Sequence, residues 1–366
     1  MLVARRNLVQ EKTRLALSVG GVALAIMLVL ILDGLLVGMF RQITAYLDHN
    51  QASIIVAQEG VQNLLGATSL LPSKTEDQVA GINGVDEAVP ILSRFVILDL
   101  HGKKQPVYLI GYSVERGGGP WDLAEGREPR NDRELVFDRV LADRHGLDLG
   151  DRVEVMDFDF RIVGLSDGTA SWMTSFIFLP KTAVEELLSA PGATSFLLVS
   201  ARSGRSMEEV RDRIARLDDL EVMLKSEMAA NDTRLFGRFF SAPVRLMTGI
   251  AFLVGALVVG LVIYTATVER QREYGVLKAL GARNPLLYRV VLVQALLAAL
   301  LGTVVGLGLA KVASEAIMAA RPQFLVVLQA GMVGRAAAIG LGMALMAALF
   351  PARVVGRLAP AEVFRR

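Results

Sequence analysis

The side chains that could do chemistry in this chain of 366 residues are few and scattered. Histidine is best placed to move protons or hold a metal near neutral pH, and the chain has three, His49, His101 and His145. They lie far apart with no metal-ligand spacing around any of them, so each reads as an ordinary surface histidine. Asp157 and Asp159 flank Phe158 in what the pattern marks as a hairpin, and read as solvated turn residues rather than an acid pair. Gly117, Gly118 and Gly119 lack the strand, helix and lysine that a phosphate cradle needs, and no Gly-x-x-x-x-Gly-Lys-Ser/Thr occurs. ATP hydrolysis by this chain is therefore not expected, and no catalytic residue, metal ligand or cofactor of its own is assigned. The absence of cysteine removes disulfides and thiol chemistry, and leaves the redox compartment open.

The most informative stretch is a charged turn, residues 268–283, VERQREYGVLKALGAR. Before it lie the 23 residues 246–268 without a formal charge, and after it a long apolar run, 286–310. At about 1.5 Å per residue, each is long enough to cross a bilayer core of roughly 30 Å. Within the turn, Val276, Leu277 and Leu280 fall on one helical stripe, while Glu269, Arg270, Arg272 and Glu273 cluster ahead of them. Gly281 suits the left-handed residue that ends such a helix, and Asn284 with Pro285 reads as the cap and first-turn proline of the next. The spacing thus predicts a short amphipathic helix clamped between two spans. On charge alone the turn reads equally as an ordinary positive-inside loop, since Arg270, Arg272, Lys278, Arg283 and Arg289 outnumber Glu269 and Glu273.

The elements that must position this turn follow from composition and charge. Hydrophobic residues make up 53% of the chain and charged residues 21%, so charge has to be segregated if helices span lipid. Residues 41–238 hold 22 Lys and Arg against 31 Asp and Glu, a net −9, which leaves +11 on the rest of a chain whose total is +2. An acidic domain therefore accompanies a basic membrane part. Nothing points to nucleic acid.

In chain order, a basic segment, 1–14, precedes an apolar run, 15–40, so the N-terminus is placed in the cytoplasm. A cleaved signal peptide competes, with Ala23-Leu24-Ala25 as a possible site. The run of about 26 residues exceeds a signal core of roughly 7 to 15, which favours an uncleaved anchor. Asp33 lies near its outer boundary, either as a solvated carboxylate or as part of a dimer interface or amphiphile site. Residues 41–240 read as an extracytoplasmic α/β domain. Strands at 53–57, 88–100, 107–111, 196–200 and 221–224, with helices at 75–82 and 206–217, suggest a ferredoxin-like core. Ser206 and Glu209 form a possible capping box. A mainly β subdomain is inserted at about 113–190, with a tight turn at Leu149-Gly150-Asp151 and a hairpin around Asp157.

A stalk, 226–242, leads into the second span, 246–268. Leu235, Phe236, Phe239 and Phe240 sit there at helical spacing, suited to packing or to the membrane surface. The turn occupies 269–285 and the third span 286–310. An outer connection, 311–333, broken at Arg321-Pro322, precedes the fourth span, 334–350, with Arg335 close enough to an end to snorkel. Gly302, Gly306, Gly308, Gly340 and Gly342 supply small faces for close helix contact. The basic tail, 351–366, returns to the cytoplasm. The expected architecture is four transmembrane helices plus one extracytoplasmic α/β domain.

The motif Glu-Arg-x-Arg-Glu-x-Gly-x-Leu-Lys-Ala-Leu-Gly-Ala, residues 269–282, resembles the signature of FtsX/MacB-like ABC transporter permeases. The Gly-Asp-x-Val step at 150–153, the Arg-Ile-Val-Gly at 161–164 and the closing LAPAEVFRR are similar to the same family, and the layout is most similar to its small DevC-like and HrtB-like members. The resemblance implies a multi-pass permease of the cell (inner) membrane, with both termini cytoplasmic. Two copies would assemble with a separate cytoplasmic ABC ATPase that carries ATP and magnesium, in some systems with a membrane-fusion adaptor. It further implies that Glu269, Arg270, Arg272, Glu273, Tyr274, Gly275, Leu277, Lys278, Leu280, Gly281 and Ala282 form the coupling segment that docks on that ATPase. The expected function is export or extraction of an amphiphilic substrate such as a lipid, haem, drug or peptide. Asp33, Phe236, Phe239 and Phe240 are the candidate substrate contacts. The alternative is a non-transporting regulator that activates an extracytoplasmic cell-wall enzyme.

Overall fold

The computed structural model describes residues 12–171, 173–280 and 282–357. In chain order its elements are α1 (Lys12–His49), β1 (Ile54–Gln58), α2 (Thr75–Ala80), β2 (Val85–Leu100), β3 (Lys103–Tyr112), β4 (Leu123–Gly126), β5 (Glu134–Asp138), α3 (Arg139–His145), β6 (Arg152–Val155) and β7 (Phe158–Ser166). They continue with β8 (Ser175–Pro180), α4 (Lys181–Leu187), β9 (Phe196–Ala201), α5 (Met207–Ile214), β10 (Leu220–Leu224), α6 (Lys225–Glu269), α7 (Gln271–Ala279), α8 (Asn284–Ala320) and α9 (Gly331–Arg357). Two compact units result. An α/β unit comprises residues 38–239 and 321–325, and a membrane unit comprises the rest.

In the α/β unit, β10, β1, β9 and β2 lie side by side in that order, each pair antiparallel. With α2 and α5 as crossovers this is the ferredoxin-like arrangement of two strand-helix-strand units. The inserted residues do not form a separate body. β2 is 16 residues long, about 50 Å at 3.3 Å per residue, so its first part pairs with β9 and its second with β3. The sheet then continues through β8, β5, β7 and β4, with β6 folded back on β7. One sheet of ten strands thus runs through core and insert.

The turns follow from local chemistry. His101 and Gly102 join β2 to β3, and Met156 and Asp157 join β6 to β7, all at positive φ, as two-residue hairpins require. Asp99 Oδ1 accepts from the Gly102 amide at 2.7 Å. Ser206 caps α5, its hydroxyl accepting from the Glu209 amide at 3.5 Å. The reciprocal half of a capping box is replaced by a Glu209 to Arg213 ion pair at 3.7 Å. Phe137, Phe160 and Ile177 fill one side of the sheet, and Tyr46, Ile91, Phe178 and Met228 the other.

The membrane unit contains helices of the length and apolarity needed to span a bilayer, four of them among the described residues. Glycines set the closest approaches. A Cβ on Gly302 would lie 2.5 Å from the Val22 Cβ, and one on Gly306 2.8 Å from the Ala23 carbonyl oxygen, so α8 packs on α1 through small residues. Gly340 faces Thr303 and Gly342 faces Phe252 in the same way. Gly308 does not join this face, for a Cβ there would meet nothing within 4 Å.

Helix lengths differ from the apolar runs. α1 continues to His49 and α8 to Ala320, because backbone hydrogen bonding extends beyond the apolar stretch until a breaker intervenes. Arg321 and Pro322 supply that breaker after α8. The connection outside helices is 321–330. It packs back on α1, with the Val327 amide donating to the Gly34 carbonyl at 3.0 Å. α6 is a single helix through the stalk residues and the second span, with Pro243 inside it.

Candidate functional site

The charged turn folds as α7, nine residues long, between α6 and α8. Its amide at Tyr274 donates to the Arg270 carbonyl at 3.1 Å, and the amides of Leu280 and Ala282 reach back to Val276 at 3.0 Å and Leu277 at 2.9 Å. These bonds close both ends of a short helix that would be marginal alone. Tertiary packing supplies the rest. Tyr274 is 5% exposed, clustered with Ile263, Leu287 and Val291, and Gly275 beside it is buried. Burial pushes the Tyr274 hydroxyl above the ordinary tyrosine range, so it stays protonated.

On the other face, Val276 and Leu277 are 42% and 40% exposed, and Leu280 is 80% exposed. Leu280 follows the last residue of α7 with φ −80° and ψ 5°, so the predicted stripe spans the helix and its cap. Around these apolar groups stand charges. Glu269, Arg272 and Glu273 are exposed, Lys278 is half-buried, and Arg270 approaches Glu273 at 3.8 Å. Gly281 lies outside the described residues. The turn thus splits its predicted residues between two tasks. Tyr274 and Gly275 anchor it, whereas Val276, Leu277 and Leu280 project an apolar edge with a charged rim.

The candidate substrate contacts are not equivalent. Asp33 has a partner that the sequence did not suggest: its Oδ2 lies 2.8 Å from an Arg335 guanidinium nitrogen, joining α1 to α9. Arg335 was expected only to snorkel. Their separation of about 300 positions carries no local signal, although an acid and a base near the ends of two spans invite pairing. Phe239 is 66% exposed on α6, and Phe236 and Phe240 are half-buried.

His101 and His145, far apart in sequence, come close enough for the charge of one to disfavour that of the other, and no group of three metal-capable side chains occurs among the described residues. Burial holds His145 below the ordinary histidine range, leaving it neutral at pH 7. Asp157 and Asp159 are exposed at the predicted hairpin. Two buried acids escaped notice in the sequence. Asp138 caps α3 through the Leu141 amide at 2.8 Å and accepts from Thr169 at 2.6 Å and Ser175 at 3.3 Å. Burial, the largest influence on it, pushes its pKa up to about 6. Asp232, on α6, accepts from the Leu64 amide through both oxygens, at 3.1 and 3.3 Å. Both acids are structural, holding a helix end and a loop.

Comparison with known proteins covers nearly the whole chain. Residues 15–217 match the family described as the MacB-like periplasmic core domain, and residues 245–360 the FtsX-like permease C-terminal family. An uncharacterized ABC transporter permease of Mycobacterium tuberculosis is 27% identical over 316 residues, 85% of each chain. A Staphylococcus epidermidis protein named as a candidate hemin transport system permease, HrtB, is 22% identical over 283 residues, 77% of this chain and 76% of that one. The solved extracellular domain of the noncanonic ABC-type transporter YknZ from Gram-positive bacteria aligns at 14% identity with a TM-score of 0.38, over 47% of this chain and 99% of that one.

Proposed function

Because this chain belongs to the FtsX/MacB-like family of ABC transporter permeases, we infer that it couples ATP hydrolysis by a separate cytoplasmic ATPase to movement of its α/β unit. One observation carries the reading. Leu280 is 80% exposed beside exposed Leu277 and Val276, at a charged turn between two spans where no lipid-spanning role explains them. An exposed apolar edge with a charged rim is the form of a protein contact. Leu277 and Leu280 enter an apolar groove of the ATPase, and Glu269, Arg272 and Glu273 meet charges at its edge. Anchored by Tyr274, α7 passes displacement to α6 and α8 rather than absorbing it.

Both termini and α7 face the cytoplasm, the α/β unit faces outward, and two copies assemble with two ATPase subunits. The cargo is amphiphilic. In the membrane unit a groove of about 470 Å³ between α1 and α6 is lined by apolar and small residues, among them Gly21, Leu28, Met247 and Val258. Such a groove suits an acyl chain or a planar apolar molecule arriving sideways from the bilayer, a class that includes the hemin named for the Staphylococcus epidermidis relative.

The test is reconstitution of the permease with its ATPase. Leu280→Ala is expected to weaken capture of the ATPase by roughly 30-fold, as losing an apolar anchor of about 2 kcal/mol implies. Cargo-stimulated turnover falls with it, while membrane insertion is retained. Wild-type capture and turnover in that variant would remove α7 from the mechanism.

A further inference from the structure

The first half of α6 carries a charge pattern that neither its packing nor α7 uses. Residues 41–238 are acidic overall, yet from Thr233 to Val268 the helix holds Arg234, Arg238 and Arg245 and no acid. Spaced by four and then seven residues, the three arginines fall on one face of the helix. All of them are exposed.

Among the described residues nothing neutralises this row. Arg234 donates to Asn231 Oδ1 at 3.2 Å and Arg245 to the Ser241 carbonyl at 3.2 Å, and both acceptors are neutral and lie on α6 itself. None of the three guanidinium groups has an ion-pair partner among the described residues. With five N–H donors on each, most of their hydrogen-bonding capacity is left over.

The depth of the row is set by the span. Arg245 immediately precedes the uncharged run that begins at Leu246. On the neighbouring face Phe239, Leu246 and Leu253, seven residues apart, are 66%, 66% and 48% exposed, a row suited to lipid contact. The headgroup layer on each side of a bilayer core is about 5 to 7 Å deep. Arg245 falls within it. Arg238, about 10 Å farther out along the axis, reaches back toward it on a long side chain, as arginines near span ends do.

We propose that this face of α6 binds the phosphates of anionic phospholipids in the leaflet at the N-terminal end of its span. A planar guanidinium pairs bidentately with phosphate oxygens, and a basic segment beside a span attracts anionic lipid. A zwitterionic lipid gains less, because it brings its own cation to the same place. The proposal rests on α6 crossing the bilayer and not on the docking of α7, so it stands or falls separately from the ATPase experiment.

The test uses the full chain, which contains no cysteine, with Gly249→Cys introduced one turn into the span on the arginine face, where an added side chain meets nothing within 4 Å. A bimane fluorophore on that cysteine is followed in phosphatidylcholine nanodiscs as 5-doxyl phosphatidylglycerol or 5-doxyl phosphatidylcholine replaces a growing fraction of the lipid. Relative association is read from the quenching. The anionic lipid is expected to be preferred about 25-fold, about 5-fold in Arg238→Gln or Arg245→Gln alone, and not at all in the double variant. Lysine at both positions keeps most of the preference, since the charge remains. Equal quenching by the two lipids in the wild-type face would overturn the proposal, and so would a preference that survives in the double glutamine variant. Quenching by neither lipid would mean that protein covers this face, and would overturn it as well.

Discussion

The two units treat an acid in opposite ways. In the α/β unit Asp138 is wholly buried and takes a backbone amide and two hydroxyls as partners, all from the same unit. In the membrane unit Asp33 is 28% exposed and meets a single guanidinium whose own side chain is 54% exposed. Apolar groups differ as well. The α/β unit encloses Phe137, Phe160, Phe178 and Phe196, whereas the membrane unit leaves Leu253, Leu257, Leu261 and Leu300 uncovered. The α/β unit covers most of its large apolar side chains itself, with Phe95 and Ile97 on β2 left exposed. The membrane unit leaves apolar side chains uncovered along its spans and at Leu277 and Leu280.

Breaking the self-sufficiency of the α/β unit should therefore have the largest effect on stability. Asp138→Ala removes a helix cap and leaves Thr169 and Ser175 without their acceptor, and is expected to cost about 3 kcal/mol. Thermal unfolding of the purified full-length protein checks this. A loss under about 1 kcal/mol would mean that water replaces the carboxylate.

The same residue makes the comparison depend on pH. With its pKa raised by burial to about 6, folded Asp138 holds a proton more readily than the unfolded chain does. Its contribution is favourable below the ordinary carboxylate pKa of about 4 and is lost as pH rises through about 6. Asp138 contributes a gain on the order of 2 kcal/mol between pH 7 and pH 4, which Asp138→Asn should remove, leaving the similar contribution of Asp232, whose pKa burial also pushes up to about 6. Glu134 works in the opposite sense: Arg127 draws its pKa down to about 2, so its contribution disappears as pH falls from about 4.5 toward 2. Melting curves of wild type and Asp138→Asn across pH 3 to 8 separate the two. Parallel curves would remove Asp138 as the source.

Asp232→Ala should cost about 2 kcal/mol, concentrated in the loop it holds. Hydrogen exchange at the Leu64 amide reads it directly, and unchanged protection there would show that the loop has other support. The smallest effect is expected in the membrane unit. Asp33→Asn combined with Arg335→Gln should reveal a coupling of about 1 kcal/mol or less, since both partners are partly exposed and the pair is screened. A coupling well above that would mean the pair is sealed from water.

How much of this could be read beforehand depends on the range of the signal. The four spans and α7 rest on contiguous apolar runs and a local stripe, and both were legible. The ferredoxin-like order was legible from strand-helix-strand spacing, but the merging of core and insert into one sheet was not. That depends on β2 serving two partners along its length, which alternation alone does not disclose. Asp232 looks like any surface acid in sequence, because its partner lies 168 positions away; Asp138 has a local cap partner in Leu141, but the hydroxyl of Thr169 that meets it in the core lies 31 positions away. Tyr274 lies in the turn, and its packing there arises from Leu287 and Val291 on the following helix.

Docking of the turn on an ATPase is open to cross-linking in membranes. A photoreactive amino acid replaces Leu280 in one protein and Leu261, which is 63% exposed on the span of α6, in another. Each is expressed with the ATPase and irradiated. A permease-to-ATPase adduct is expected from position 280 and none from position 261. Co-purification of an intact complex with no adduct from position 280 would contradict it.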